Sequence, residues 1–133
     1  MNFFSFLFDN LLNLINRGRC PEESIRVFYN QLLELGFEEH YGYNLTETEL
    51  FKLGKGDCED RSLVLARFMI RQGCQGVKLV YMSSIDPTEP GHVCVTHNGY
   101  AYDPTQGYWK NPVWNYKSTM ASYKDFNEVK VFW

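Results

Sequence analysis

The feature that most limits what this chain can become is a run that begins as loop and ends as core. Gly54-Lys55-Gly56-Asp57-Cys58-Glu59-Asp60-Arg61-Ser62 leads directly into Leu63-Val64-Leu65-Ala66-Arg67-Phe68-Met69-Ile70. Two glycines loosen the backbone, and the spacing that follows predicts a helix from Cys58 to about Gln72. Apolar residues cover most of its circumference, with Arg61, Arg67 and Arg71 as the main exceptions. A helix of that kind has to be enclosed, so the rest of the chain must wrap it. Cys58 falls in its first turn. Unpaired N–H groups and the positive end of the helix dipole favour a thiolate there, which makes Cys58 a candidate nucleophile.

The remaining sequence supplies a wrapping of both helices and strands. Residues 21–35 keep helical spacing through Ile25, Phe28, Tyr29, Leu32, Leu33 and Leu35, with Pro21 at the start and Gly36 at the end. Thr46 and Glu49 have the spacing of a capping box before a short helix over 47–53. Residues 77–82 and 92–97 read as strands, and Asn98-Gly99 turns the second back into a return strand over 100–103. A long loop is expected over 105–116, a short helix within 118–127 and a last strand over 129–133. That mixture is α+β, with a central buried helix on a small antiparallel sheet. The 133 residues suit a single domain, and 44% hydrophobic residues are enough for one core. A net charge of -3 without a basic run argues against nucleic acid as a partner.

The N-terminus carries Phe3, Phe4, Phe6, Leu7 and Phe8, then Leu11, Leu12, Leu14 and Ile15. An apolar helix over 1–17 follows, either packed on the domain or lying on a membrane or partner protein through residues 1–15. No positive n-region or cleavage site marks a signal peptide, so a cytoplasmic setting with reduced thiols is the expectation. The four cysteines at 20, 58, 74 and 94 show no C-x-x-C pair. Cys20 and Cys74 are expected as buried hydrophobes and Cys94 as packing.

The hairpin tests whether Cys58 has partners. A two-residue turn at Asn98-Gly99 pairs His97 with Tyr100, so Cys94 faces Asp103 and His92 faces Thr105. His92, Cys94 and Asp103 then share one face, and His97 lies on the other. His92 and Asp103 become diagonal neighbours about 7–8 Å apart at the backbone, within reach of their side chains. His92 can activate a thiol or hold it as a thiolate, and Asp103 can fix the imidazole's tautomer. The chemistry of such a set is acyl transfer from an amide through a thioester. The Cys58 backbone N–H is one oxyanion donor.

Gly56-Asp57-Cys58-Glu59-Asp60, the apolar helix, the strand Leu79-Val80-Tyr81, Gly91-His92-Val93 and Tyr102-Asp103-Pro104 together resemble the transglutaminase-like cysteine peptidase superfamily. The likeness is closest to bacterial transglutaminase-like cysteine proteinases, the group that includes periplasmic biofilm-adhesin proteases. It covers about residues 54–104. It implies a papain-like core with Cys58 as nucleophile, His92 as base and acid, and Asp103 as orienter. The resemblance also implies a calcium site at Asp57 and Glu59. Like-charge repulsion among Asp57, Glu59 and Asp60 gives a cation a physical motive to bind, although no cofactor is required by the chemistry. Trp109 and Trp114 follow the aspartate and are candidates either for holding substrate or for core packing.

The function expected is a thiol hydrolase, a peptidase or amidase acting on a protein or peptide. Two alternatives accompany it. One is a protein-glutamine acyltransferase or deamidase, and the other is a catalytically silent interaction module on the same fold.

Overall fold

The computed structural model describes residues 19–132. The apolar helix expected over 1–17 lies outside the described residues. Helix α1 (Glu22–Leu33) buries Ile25, Phe28, Tyr29 and Leu32 along one stripe, as their spacing predicts. Helix α2 (Glu47–Leu53) begins with the Thr46/Glu49 capping box and ends at Gly54 in the left-handed conformation, φ 77. Between them, β1 (Gly36–Phe37) pairs in parallel with β2 (Lys55–Gly56).

Helix α3 (Cys58–Arg71) is the enclosed rod. Asp57 and Asp60 form a reciprocal cap at its start, each carboxylate accepting from the other's backbone N–H at 2.9 Å. Phe28 stacks on Phe68 with ring centroids 4.0 Å apart and meets Phe51 edge-on, so the three helices share one apolar seam. Arg61 is not a solvated exception to that surface. It is 2% exposed, and its guanidinium donates to the carbonyls of Leu32, Leu35, Gly36 and Gly56.

Strands β3 (Lys78–Ser84), β4 (His92–His97), β5 (Tyr100–Asp103), β6 (Tyr108–Pro112) and β7 (Tyr123–Lys130) form an antiparallel sheet in the order β6-β5-β4-β3-β7. One face, with Leu79, Val93, Val95 and Tyr102, packs in the same cluster as the α1 and α3 core residues. The other face, with Val80, Met82, Cys94 and Ala101, is covered by Tyr116 of α4 (Val113–Thr119) and by Met120. Covering on both faces explains why every residue of β4 is buried. The β4–β5 register pairs His97 with Tyr100, Thr96 with Ala101 and Val95 with Tyr102, as a two-residue turn requires.

Three expectations change. The loop expected over 105–116 contains β6 and the start of α4. The helix expected within 118–127 is largely β7, which starts six residues earlier than the expected last strand. Most of β7 is exposed, so backbone pairing to β3 makes it a strand, and side-chain patterning does not register that. Cys20 and Cys74 are also joined as a disulfide, with Cα atoms 4.6 Å apart, and are not free thiols. The bond ties the residue ahead of α1 to the turn after α3, reinforced by Cys20 N–H donating to Gln72 O at 2.7 Å. A pairing across 54 residues depends on folded proximity, which spacing does not encode. Among the described residues no helix is long and apolar enough to cross a membrane.

Candidate active site

Local structure sets Cys58 at the opening of α3, half-buried against the core. Gly56 just before it is required for close packing, because a Cβ there would lie 2.5 Å from a Leu50 methyl and 3.0 Å from Asp60 Oδ2. His92 opens β4, and Gly91 lets the strand start tightly, since a Cβ at 91 would meet the Met82 carbonyl oxygen at 2.6 Å. Ser62 Oγ donates to Val93 O at 3.0 Å and locks the first turns of α3 onto the start of β4.

These constraints bring Cys58, His92 and Asp103 together. His92 Nε2 is 2.6 Å from Asp103 Oδ2, across the strand pair that the turn register defines. The Cys58 side chain lies close enough to the same ring to bear on its charge, and both residues line one cleft. With Nε2 engaged by Asp103, Nδ1 is the nitrogen left to face sulfur. Burial works against charging the His92 ring. The bonds and charges of Asp103 and Cys58 outweigh it and push the imidazole up to about 9.

Asp103 is wholly buried and fully engaged. Oδ1 accepts from the Thr105 and Gln106 backbone N–H groups at 3.0 and 2.9 Å. Oδ2 accepts from Tyr116 Oη at 2.7 Å besides meeting His92. Tyr116 escaped the sequence reading, because residue 116 closed a segment taken as loop and nothing local links it to residue 103. Burial, then the neighbouring Cys94 and Asp103, hold its hydroxyl far above the ordinary tyrosine range. It therefore stays a donor. Cys94 lies behind this cluster, wholly buried, and burial pushes its thiol up to about 12. It is an inert neighbour.

A cleft of about 250 Å³ opens on Cys58, lined by Glu39, His40, Tyr41, Glu59, Tyr81 and His92 among others. Neither Trp109 nor Trp114 reaches it. Trp109 packs between Tyr29 and Tyr102, and Trp114 is 76% exposed. His97, on the far face of β4, borders a different cavity beside the disulfide.

His40, in the segment between β1 and α2, has a side chain that is only 15% exposed. Its Nε2 lies 2.5 Å from Asp60 Oδ2 and 3.7 Å from Asp57 Oδ2, and its ring stacks on Tyr43. The Asp60 hydrogen bond, opposed by burial, raises the His40 pKa. The potential ligand atoms that converge here belong to His40, Asp57 and Asp60, and Glu59 is not among them. Calcium takes six to eight oxygens at about 2.3–2.6 Å. Here Asp60 Oδ1 already accepts from Leu45 N, Asp60 Oδ2 from Asp57 N and His40, and Asp57 Oδ1 from Asp60 N. The residues present therefore do not fit a calcium cage.

No family model matches the sequence, and no curated protein matches it. Solved structures do. Calcium-bound LapG of Legionella pneumophila matches with a TM-score of 0.60 at 13% identity, over 80% of this chain and 66% of that one. EGTA-treated LapG matches with a TM-score of 0.58 at 14% identity, over 82% of this chain and 68% of that one. A further LapG structure matches with a TM-score of 0.52 at 15% identity, over 60% and 50%. The chain thus spans about two thirds or less of the LapG structures it matches, and what it shares with them is the transglutaminase-like α+β fold.

Proposed function

We propose that the chain is a thiol hydrolase of the transglutaminase-like type, acting on a peptide or side-chain amide through Cys58, His92 and Asp103. The observation that carries this is that Cys58, at a helix start, shares a cleft with His92, whose imidazole is held at Nε2 by the wholly buried Asp103. The fold shared with LapG, a transglutaminase-like cysteine protease, supports the same reading.

In this mechanism the Cys58 thiol passes its proton to His92 Nδ1, its sulfur attacks the amide carbon, and the carbonyl electrons move onto oxygen. The Cys58 backbone N–H, which lacks an intrahelical acceptor, is the donor for that charge, whereas the Asp60 N–H is already taken by the Asp57 cap. As the C–N bond breaks, His92 gives the Nδ1 proton to the departing amine. A thioester remains on Cys58. Water then attacks the thioester, His92 takes its proton, and the thiolate leaves with the acid released. Asp103 accepts a hydrogen bond from Nε2–H, whose proton stays on the ring throughout, and stabilises the imidazolium. An amine in place of water would give transfer rather than hydrolysis. The Cys20–Cys74 bond favours an oxidising compartment over the cytoplasmic one expected from sequence.

Iodoacetamide labelling, followed site by site by mass spectrometry across pH, tests the pair. Cys58 should label far faster than Cys94 at neutral pH, and His92→Ala should remove the advantage. Equal labelling of Cys58 in wild type and His92→Ala would end this reading. Product masses from a peptide library then separate chain cleavage, loss of ammonia and addition of an amine.

A further inference from the structure

We propose that the His40 imidazole N–H takes the place of a divalent cation between Asp57 and Asp60, so that the Cys58 helix start is held in place without calcium. Its consequence for turnover rests on the acyl-transfer reading above, whereas its ion-binding content does not.

Carboxylates at 57, 59 and 60 beside a prospective thiolate create repulsion that something must relieve. The structure relieves it with protein donors. Asp60 is wholly buried, and its Oδ2 carries two donors, Asp57 N–H and His40, one for each lone pair. Its Oδ1 accepts from Leu45 N at 2.8 Å. The segment between β1 and α2 therefore clamps the helix start at two points, His40 and Leu45, with Leu45 itself 6% exposed in the core. Stacking on Tyr43, with ring centroids 4.6 Å apart, fixes the plane of the imidazole. An ion entering between the carboxylates would have to displace that ring and gain ligands that the cluster does not offer. Glu59 lines the same cleft as His40 and Asp57, but its carboxylate is not among the ligand atoms that converge. His40 is a positioning residue in this scheme. It acts on Cys58 through the cap that Asp57 and Asp60 build.

The test uses the full chain. Calcium is titrated by calorimetry and terbium by luminescence. Wild type should bind neither up to about 1 mM, the weak end of protein calcium sites. Its Cys58 alkylation rate should be the same in EGTA and in calcium. His40→Ala should gain binding of both ions, and its Cys58 alkylation should differ about tenfold or more between EGTA and saturating calcium. His40→Gln, which restores an N–H donor, should return to indifference. Calcium binding by wild type below about 1 mM would overturn the proposal. So would a folded His40→Ala that binds no ion. If His40→Ala does not fold, the wild-type titration decides alone. A chain indifferent to calcium but with an unreactive Cys58 would sink the acyl-transfer reading and leave the His40 assignment standing.

Discussion

Tyr116 governs His92 at one remove, because its hydroxyl shares Asp103 Oδ2 with the imidazole. Tyr116→Phe deletes that donor and leaves the ring's packing. It should cost about 1–3 kcal/mol in denaturant unfolding and slow Cys58 alkylation, since Asp103 loses one of its supports. Unchanged stability and an unchanged rate would show the bond to be idle. His92 itself predicts a pH dependence. A histidine in the unfolded chain titrates near 6.5, and this one is raised to about 9. Its contribution to stability is therefore complete below about 6.5 and lost as pH rises through about 9. Unfolding midpoints should fall across that window in wild type and fall less in His92→Gln. The alkaline limb of turnover should lie near the same upper value, because amine departure needs the protonated ring. His97→Ala should leave turnover intact, since His97 lies on the other face of β4.

At the scale of elements, the position of α3 rests on the groups that tie its two ends. At its start, Arg61 donates to four carbonyls from α1, β1, β2 and the segment between them. Arg61→Met fills similar volume but strands those acceptors. It should lower stability by upwards of about 3 kcal/mol, read by denaturant unfolding. Just past its far end, the Cys20–Cys74 bond closes a loop with a separation of 54 residues. Chain-entropy arithmetic assigns such a loop on the order of 4 kcal/mol. A thiol reductant should therefore lower the midpoint of wild type markedly and leave Cys20→Ser/Cys74→Ser unaffected. Equal responses would mean that the bond does not form in solution. Both devices join segments distant in sequence, so neither could be read from local pattern.

At the scale of the molecule, the fold places a two-sided sheet beneath an enclosed helix and opens one cleft at their shared end. That cleft is lined by Glu39, Asp57 and Glu59 and by no lysine or arginine among the described residues. His40 and His92 line it too, and the three carboxylates leave an acidic excess, which in a concave site concentrates opposite charge. A cationic thiosulfonate should modify Cys58 faster than an anionic one of similar size, and added salt should narrow the difference. Glu39→Gln/Glu59→Gln should narrow it too. An anionic reagent that reacts as fast would show that the cleft's field does not select.

What the sequence determined by itself was local and periodic. The apolar run after Cys58 requires an enclosed helix, Thr46 and Glu49 cap the helix before it, and Asn98-Gly99 sets the register that separates His92 from His97. These follow from propensities and from side-chain periods of 3.6 and 2, which act over a few residues. Tertiary structure alone decided the disulfide, the burial of Arg61, the strand character of residues 123–130, and the arrival of His40 and Tyr116 at their aspartates. Each depends on which distant backbone or side chain supplies the second half of a bond. A loop histidine carries no local sign that a buried carboxylate 20 residues away will hold it. The physical reason is that a hydrogen bond or a thiol pair is satisfied by proximity in space, and the chain fixes that proximity only once its core has closed.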